Sequence, residues 1–334
     1  MVKLTDVAAL AGVSASAASR VLSGDATVRV SEATRMRVLE AARQLDYVPN
    51  HAGRSLRTSR SSTIALVVPD VTSAVFAELA NGADQEAASR GLAIVLGRAE
   101  RVRDDDDWLR RMLGESRIDG VILQVPEGTQ PEDLASMVER ETPIVIINSL
   151  DDGPLSTIVL DDAAGISTAV NHLHSLGHER LGLVGGLASN ATARRREAGF
   201  RSALQASGLP VREEWITRLG YTGADGRAAI ELLEKSAPLP TALVVANLNA
   251  ALGVLAAIHA RALRVPSDVS IVALHDVWYA DATWPPITTV RMPLRQLGAA
   301  AVARVAEGGQ QVTHMTIRSP EPLLVIRQST AAPG

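Results

Sequence analysis

Two hydrophobic patterns divide the chain. Over residues 4–45, apolar side chains recur every three or four positions, which is typical of amphipathic helices. From residue 63 onward, short continuous apolar runs alternate with amphipathic segments. Such runs are typical of parallel strands that helices cover on both faces. The pattern therefore predicts an α/β protein that begins with a small helical head.

Three helices are predicted in the head, each with its own start signal. Thr5 and Ser14 are hydroxyl residues that can cap helix N-termini, and Gly12 between them ends the first helix in a left-handed conformation. Ser31 begins a third helix that runs to about Leu45. The positions expected to face the core are Val7, Ala8, Leu10, Ala11, Val13, Ala18, Val21, Leu22, Val38, Leu39, Ala42 and Leu45.

The body is predicted to form two Rossmann-like lobes, because two sets of strand–helix units are separated by a break at 151–154. Buried strands are predicted at 63–68, 92–96, 120–124, 144–147, 181–184, 242–245 and 269–274. Helices are predicted at about 75–90, 105–115, 161–176, 192–207, 223–235, 249–262 and 293–307. Ligands of such folds bind at the carboxyl ends of strands, so a cleft between the lobes is the expected site.

The second helix of the head carries short side chains on the face opposite its core. Ser16 and Ser19 are small, and Arg20 is the long residue of this face. A helix of this kind can lie close to base edges in a DNA major groove about 12 Å wide. An ordinary helical hairpin is the alternative interpretation. The head residues predicted to bind DNA are Thr5, Ser14, Ala15, Ser16, Ser19 and Arg20.

Charge favours the DNA-binding interpretation. Residues 1–60 contain nine Lys and Arg against five Asp and Glu, a net charge of +4, whereas the remainder carries −8. A basic head on an acidic body is typical of a module that binds phosphates. The chain has no cysteine, no apolar run of the ~18 residues that cross a bilayer, and Lys3 and Asp6 interrupt any export signal. A cytoplasmic protein without a membrane partner is expected.

Four stretches carry a resemblance to a known family. They are Leu4 to Leu22, Val30 to Arg35, Leu45 to Asn50 and Ala52 to Thr58. In this order they resemble the head and hinge of the lactose-repressor (LacI-type) family of bacterial transcriptional regulators, and the resemblance continues through the body. It implies a helix-turn-helix domain at 1–48, a hinge helix and linker at 49–61, and an effector-binding and dimerisation domain at 62–334. This last domain would have the periplasmic-binding-protein fold, with an N-lobe at about 62–160 and 291–319 and a C-lobe at about 161–290 and 320–330.

The hinge is expected to fold on DNA. Asn50 can cap a helix from His51 to about Leu56, which is shorter than the ~12 residues an isolated helix needs. In the family, hinge helices enter the minor groove as a pair, and Leu56 matches the wedging residue. Gly53 stands where the family has alanine and costs a helix about 1 kcal/mol, so DNA dependence should be stronger here. A plain linker is the alternative. The hinge residues predicted to bind DNA are Asn50, His51, Arg54 and Leu56.

Residues that follow the strands are the candidates for effector binding. Phe76 and Tyr221 could stack on a ligand, and Arg196 lies in the family's Arg-x-x-Gly-Phe pattern, where a guanidinium can fork onto hydroxyls or a carboxylate. The predicted effector-binding residues are Asp70, Phe76, Asn148, Arg196, Tyr221, Asn247, His275 and Asp276.

Two departures from the family bear on the effector. Sugar-binding members have an acid where Leu248 follows Asn247, and they often have two acids where this chain has His275 and Asp276. Leucine cannot accept hydrogen bonds from sugar hydroxyls. The pocket is therefore expected to suit a neutral polyhydroxylated sugar less well. A modified or phosphorylated sugar, a nucleobase and a small aromatic acid remain open.

The expected function is that of a transcriptional repressor. The resemblance implies a homodimer on double-stranded operator DNA of pseudo-palindromic sequence, controlled allosterically by a small-molecule effector. No catalytic constellation and no cofactor motif is apparent, and the spacing of His172, His174 and His178 fits an ordinary helix and turn better than a metal site. The alternative is a cytosolic small-molecule-binding protein or a sugar-modifying enzyme with a periplasmic-binding-protein-like body.

Overall fold

The computed structural model describes residues 2–23, 29–47, 60–99, 117–125, 142–149, 155–235, 238–308 and 311–334. The chain separates into two compact units, Met1–Ser61 and Ser62–Gly334. Three predicted features lie outside the described residues: the hinge helix at 51–56, the helix at 105–115 and the break at 151–154.

The first unit is a bundle of α1 (Leu4–Ala11), α2 (Ala15–Leu22) and α3 (Glu32–Gln44). The Ser14 hydroxyl accepts the Ala17 N–H at 3.1 Å, and Ser31 accepts the Thr34 N–H at 3.2 Å, so both predicted caps are confirmed. Gly12 ends α1 with φ +66°, also as predicted. The predicted cap at Thr5 is wrong. Helix α1 begins two residues earlier than a cap at Thr5 would give, after Lys3, because the Asp6 carboxylate accepts the Lys3 N–H at 2.8 Å.

The core of the bundle is built mainly from alanine and valine. Leu10 was expected to face this core, but 52% of its surface is exposed. At 100° per residue it lies beyond the arc that Val7, Ala8 and Ala11 cover. Ala15 packs partly against the core, so α2 presents a narrower polar face than predicted. The buried residues are Val7, Ala8, Ala11, Ala18, Val21, Val38, Ala41 and Ala42.

The second unit alternates strands and helices. Its strands are β1 (Thr63–Val68), β2 (Ala93–Arg98), β3 (Gly120–Leu123), β4 (Ile144–Ile147), β5 (Ser156–Leu160), β6 (Leu181–Gly185), β7 (Ile216–Arg218), β8 (Ala242–Val245), β9 (Ser270–Leu274), β10 (Thr288–Arg291), β11 (His314–Ile317) and β12 (Leu323–Val325). Its helices are α4 (Ala74–Ser89), α5 (Asp162–Ser175), α6 (Ala191–Ala206), α7 (Gly223–Glu234), α8 (Leu248–Ala260) and α9 (Leu294–Ala306), and a 3₁₀ turn spans Glu213–Trp215.

Two six-stranded sheets define two lobes. The first has the order β11-β5-β4-β3-β1-β2 and is parallel throughout. The second has the order β12-β10-β9-β8-β6-β7, in which only β12 runs antiparallel. The chain passes from one sheet to the other after β5, after β10 and after β11. This arrangement confirms the prediction of two Rossmann-like lobes.

The seven predicted strands are confirmed, but five others were missed. Strands β7, β11 and β12 lie at sheet edges and have only three or four residues, too few for a clear pattern. Strands β5 and β10 contain Ser156, Thr157, Thr288 and Thr289, whose hydroxyl groups are buried. Their polar side chains interrupt the apolar pattern in the sequence, but in the structure their hydroxyl groups are hydrogen-bonded inside the protein. No helix in the described ranges is long and apolar enough to cross a membrane.

Candidate functional site

Helix α2 presents an open polar face on the first unit. Ser16 and Arg20 are exposed on it, Ser19 is half-buried, and Thr5 is exposed on α1. Because Ser14 is fixed as the cap of α2, it lies at the N-terminal end of the same face, where helix N–H groups favour phosphate. The predicted DNA-binding residues of the hinge, Asn50, His51, Arg54 and Leu56, lie outside the described residues.

A cavity of about 600 Å³ lies in the second unit, between the two lobes. It opens where β1, β3 and β4 of the first sheet and β8 and β9 of the second sheet end. Parallel strands direct their carboxyl ends to the same edge, so residues far apart in sequence meet there. Seven of the predicted effector residues line it: Asp70, Phe76, Asn148, Arg196, Tyr221, Asn247 and His275.

Asp276 does not line this cavity. Its Oδ1 accepts from Thr289 Oγ1 at 2.8 Å and from Arg327 at 2.7 Å, and its Oδ2 accepts from Arg291 at 2.6 Å. Burial raises the pKa of Asp276, but hydrogen bonds from these three donors lower it more, and the net shift is downward. The role of Asp276 in effector binding stays a prediction, and in this structure its carboxylate holds together the C-lobe strands and the segment after β12.

Arg196 is held mainly by other groups of the protein. It is 4% exposed, and its Nε donates to Asp162 Oδ1 at 2.8 Å. Its Nη1 donates to the Ala246 carbonyl at 2.7 Å and its Nη2 to His275 Nε2 at 2.9 Å. Its guanidinium also lies 5.8 Å from the centre of the Tyr221 ring. The sequence predicted Arg196 as a ligand for an effector, whereas most of its hydrogen-bonding capacity is used to join α5, α6 and the ends of β8 and β9.

His275 is held as a neutral imidazole. Burial lowers its pKa well below the ordinary value, and the positive charge of Arg196 lowers it further. Because a guanidinium only donates, His275 Nε2 must be the acceptor, which leaves the proton on Nδ1. The residue is 3% exposed and adopts φ +70°, an uncommon left-handed conformation for a non-glycine residue. The site therefore fixes both the tautomer and the direction of this ring.

The other amide side chains around the cavity mostly support the backbone. Asn148 Oδ1 accepts the Leu160 N–H at 3.1 Å. Asn247 caps α8 through the Ala250 N–H at 2.8 Å and donates to the Tyr221 carbonyl at 3.1 Å. Asn249 accepts from the Tyr279 hydroxyl and contacts Ser73 at 3.5 Å. These residues shape the cavity walls more than they offer groups to a ligand.

Several residues of the site were missed in the sequence. Gln124 follows β3 as Asn148 follows β4, so its position at a strand end was a usable signal. Asp162, 1% exposed, begins α5 and looked like an ordinary helix-start acid. Its partners Arg195 and Arg196 are more than 30 residues away, and no local pattern identifies them.

Two of the three clustered histidines have structural partners. His178 Nδ1 lies 2.9 Å from Thr241 Oγ1, and its Nε2 donates to the Ala331 carbonyl at 2.9 Å. His172 Nε2 lies 3.0 Å from Thr330 Oγ1. Within the described ranges no group of three or more His, Asp or Glu could hold a metal ion. Two of the histidines therefore anchor the C-terminal segment to the C-lobe.

Both units match known families. Residues 3–50 match the bacterial regulatory proteins of the lacI family, and residues 170–330 match the periplasmic binding protein-like domain. The HTH-type transcriptional regulator DegA of Bacillus subtilis is 31% identical over 98% of this chain and 97% of its own length. The chain belongs to the LacI family.

Solved structures of LacI-family proteins show the same architecture. The lac repressor dimer bound to operator and the anti-inducer ONPF is 27% identical, has a TM-score of 0.81, and covers 99% of both chains. The complex of the transcriptional regulator CelR with cellobiose is 28% identical, has a TM-score of 0.71, and covers 98% of this chain and all of the other. These LacI-family relatives are transcriptional regulators, not enzymes.

Proposed function

We propose that this LacI-family protein is a cytoplasmic repressor whose homodimer binds a pseudo-palindromic operator and is controlled by a small molecule in the cleft between its lobes. Helix α2 would read base edges in each half-site through Ser16, Ser19 and Arg20. The hinge, with Leu56 as its wedge, would bend the centre of the operator. The effector would occupy the cavity of about 600 Å³.

The observation that carries this proposal is the combination of two features in one chain. Helix α2 is capped at Ser14 and leaves Ser16 and Arg20 exposed, so its polar face is open to a groove. The body has a cavity bounded by strand ends of both lobes, so a ligand there would contact both. A ligand that favours one arrangement of the lobes over another changes DNA affinity, by a coupling of about 1 to 3 kcal/mol in typical cases.

Relatives support the two partners of the proposal. A lac repressor was solved as a dimer on its operator, and CelR was solved with cellobiose. The net charge of +4 over residues 1–60 would attract DNA phosphates, and the −8 of the remainder would be repelled by them. The basic head would therefore orient the dimer on the duplex.

The test is selection of binding sites from random duplexes with the purified full-length protein, followed by gel-shift titration. A palindrome of two half-sites should be enriched, and its affinity should fall steeply with salt. Arg20→Ala should weaken binding to the enriched site at least tenfold. Arg264→Ala, which removes an exposed arginine of the body, is the matched control and should leave binding unchanged. Recovery of no common sequence would refute the proposal.

The hinge is tested separately. Leu56→Ala should weaken binding to the enriched operator while leaving small-molecule binding to the body unchanged, because the wedge acts on the base step alone. Equal operator affinity of the two proteins at a fixed salt concentration would remove the hinge from the mechanism. Sedimentation of the free protein checks its assembly state, and a tetramer at micromolar concentration would contradict the homodimer.

A further inference from the structure

Many of the polar groups that line the cavity are used by the protein itself. Thr222 and Asp225 bond to each other at 2.7 Å, Asn190 caps α6, and Thr192 donates to the Asn148 carbonyl. Two residues at strand ends carry the argument. His275 Nδ1 and Gln124 Oε1 are buried and have no hydrogen-bond partner in the protein. A buried polar atom without a partner is rare in folded proteins and calls for a ligand or water.

These two atoms have defined chemistry. Arg196 occupies His275 Nε2, so the free Nδ1 carries the proton and donates. Gln124 Oε1 is an amide oxygen and accepts. A ligand that satisfies both must therefore present one acceptor and one donor. A sugar with many hydroxyl groups would need a further partner for each of them.

The charges around the cavity disfavour an anion. Arg196 is the one cation among the described lining residues, and the Asp162 carboxylate balances it at 2.8 Å. Asp70 and Asp225 contribute two negative charges to the same lining. A phosphate or carboxylate would lose its hydration there without gaining a free cationic partner.

Apolar side chains form a large part of the cavity walls. Val75, Phe76, Leu79, Val125 and Leu294 contribute to the walls, together with the Tyr221 ring. A volume of about 600 Å³ is within the range of small-molecule sites, which bury a mostly apolar ligand and orient it through a few polar groups.

From this geometry we propose that the effector is an uncharged, mainly apolar molecule of the aromatic or heteroaromatic amide or lactam class, which accepts from His275 Nδ1 and donates to Gln124 Oε1. The cavity would discriminate against free sugars, sugar phosphates and aromatic acids. This inference rests on the proposed function in naming the cavity as the effector site.

The experiment uses matched pairs of probes on the full-length protein. Benzamide, nicotinamide and 2-pyridone are the uncharged probes, benzoate, nicotinate and glucose 6-phosphate are the anions, and glucose is the polyol. Binding is measured by saturation-transfer NMR, which detects millimolar affinities. The uncharged probes should bind at least tenfold more tightly than the anions and than glucose. Tighter binding of any anion or of glucose, or no binding of any uncharged probe, would overturn the inference.

Two further measurements locate the contacts. In protein labelled with ¹⁵N-histidine, the Nδ1 resonance of His275, assigned by its loss in His275→Asn, should shift when an uncharged probe is added. Gln124→Leu should weaken binding of that probe at least tenfold, whereas Gln205→Leu, an exposed site on α6, should not. An unmoved His275 resonance, or equal affinity in the Gln124 variant, would count against the assignment. A protein that selects an operator but prefers anions would refute only this inference, and one that selects no operator would refute the proposed function.

Discussion

The Asp162 carboxylate and the Arg196 guanidinium form a buried ion pair at 2.8 Å. Arg195 donates to the other oxygen of the same carboxylate at 3.0 Å, so one acid serves two consecutive arginines. Through Arg196, this acid also fixes the tautomer of His275. The pair therefore determines which groups the cavity can offer to a ligand.

Removal of the Asp162 carboxylate should strongly lower the free energy of unfolding. In Asp162→Asn, two arginines would keep their positive charge without a counter-charge in the interior, and breaking a buried pair in this way typically costs about 3 to 5 kcal/mol. Urea unfolding of the full-length protein measures the change. Glu40→Gln, which breaks the exposed pair with Arg43, is the control and should cost about 0.5 kcal/mol or less. Equal midpoints for the two variants would show that the buried pair contributes little.

Helices α7 and α8 approach each other so closely that side chains are excluded from the contact. A Cβ atom on Gly226 would overlap the Ala250 carbonyl, and one on Gly253 would overlap the Gly223 carbonyl. Gly226→Ala should therefore destabilise the body by about 1 to 3 kcal/mol, because the helices must move apart.

The same helix supplies the control. A Cβ atom on Gly223 would find its nearest neighbour, the Asn249 carbonyl oxygen, at 3.7 Å, an ordinary contact distance. Gly223→Ala should be neutral, or should stabilise by up to about 1 kcal/mol through the reduced entropy of the unfolded chain. A Gly226 variant as stable as the Gly223 variant in thermal unfolding would contradict the close packing of α7 and α8.

The sequence was sufficient for features that depend on local signals. Ser14, Gly12 and Ser31 mark helix ends by their own chemistry, and apolar runs such as residues 63–68 identify buried parallel strands. Prediction from the sequence failed at Leu10, an apolar residue that lies outside the buried face of α1. It also failed at β5 and β10, where buried hydroxyl groups interrupt the apolar pattern.

The candidate site could be predicted only as a set of strand ends. Its internal pairing is non-local: Arg196 reaches Asp162 across 34 residues and His275 across 79. For Asp276, adjacency to His275 in sequence suggested a shared role, but arginines from β10 and the segment after β12 bind its carboxylate. Such contacts depend on how the sheets assemble, which the spacing of residues along the chain does not encode.

The Ser14 cap of α2 should contribute measurably to the stability of the head. Its hydroxyl accepts the Ala17 N–H at 3.1 Å, and loss of such a cap typically costs about 1 kcal/mol. Ser14→Ala should therefore lower the melting temperature of the helical signal of the head. Ser14→Asn should restore it, because an Asn side chain also caps helices, and Ser16→Ala on the exposed face should have no effect. A Ser14→Ala protein with an unchanged melting profile would exclude the cap as a stabilising contact.

Three histidines of the body should make its stability depend on pH near neutrality. Burial lowers the pKa of His275, His172 and His178, assisted by the charge of Arg196 for the first and by His178 for the second. In His178 the bond to the Ala331 carbonyl opposes the effect of burial without cancelling it. All three groups therefore bind protons less readily in the folded chain than in the unfolded chain, where the ordinary value is about 6.5.

The sign of the pH dependence follows from this difference. Above pH 6.5 these histidines are neutral in both states and their contribution to stability is fully present, whereas below it the unfolded chain takes up protons first. The free energy of unfolding should thus fall by about 1 kcal/mol or more between pH 7.5 and pH 5.5, measured by urea titration at each pH. His178→Gln should make this fall shallower, since one titrating group is gone. The carboxyls whose pKa is lowered, such as that of Asp276, titrate below this pH range and do not oppose the fall. A free energy of unfolding that stays constant or rises toward pH 5.5 would therefore contradict the neutral state of the buried imidazoles.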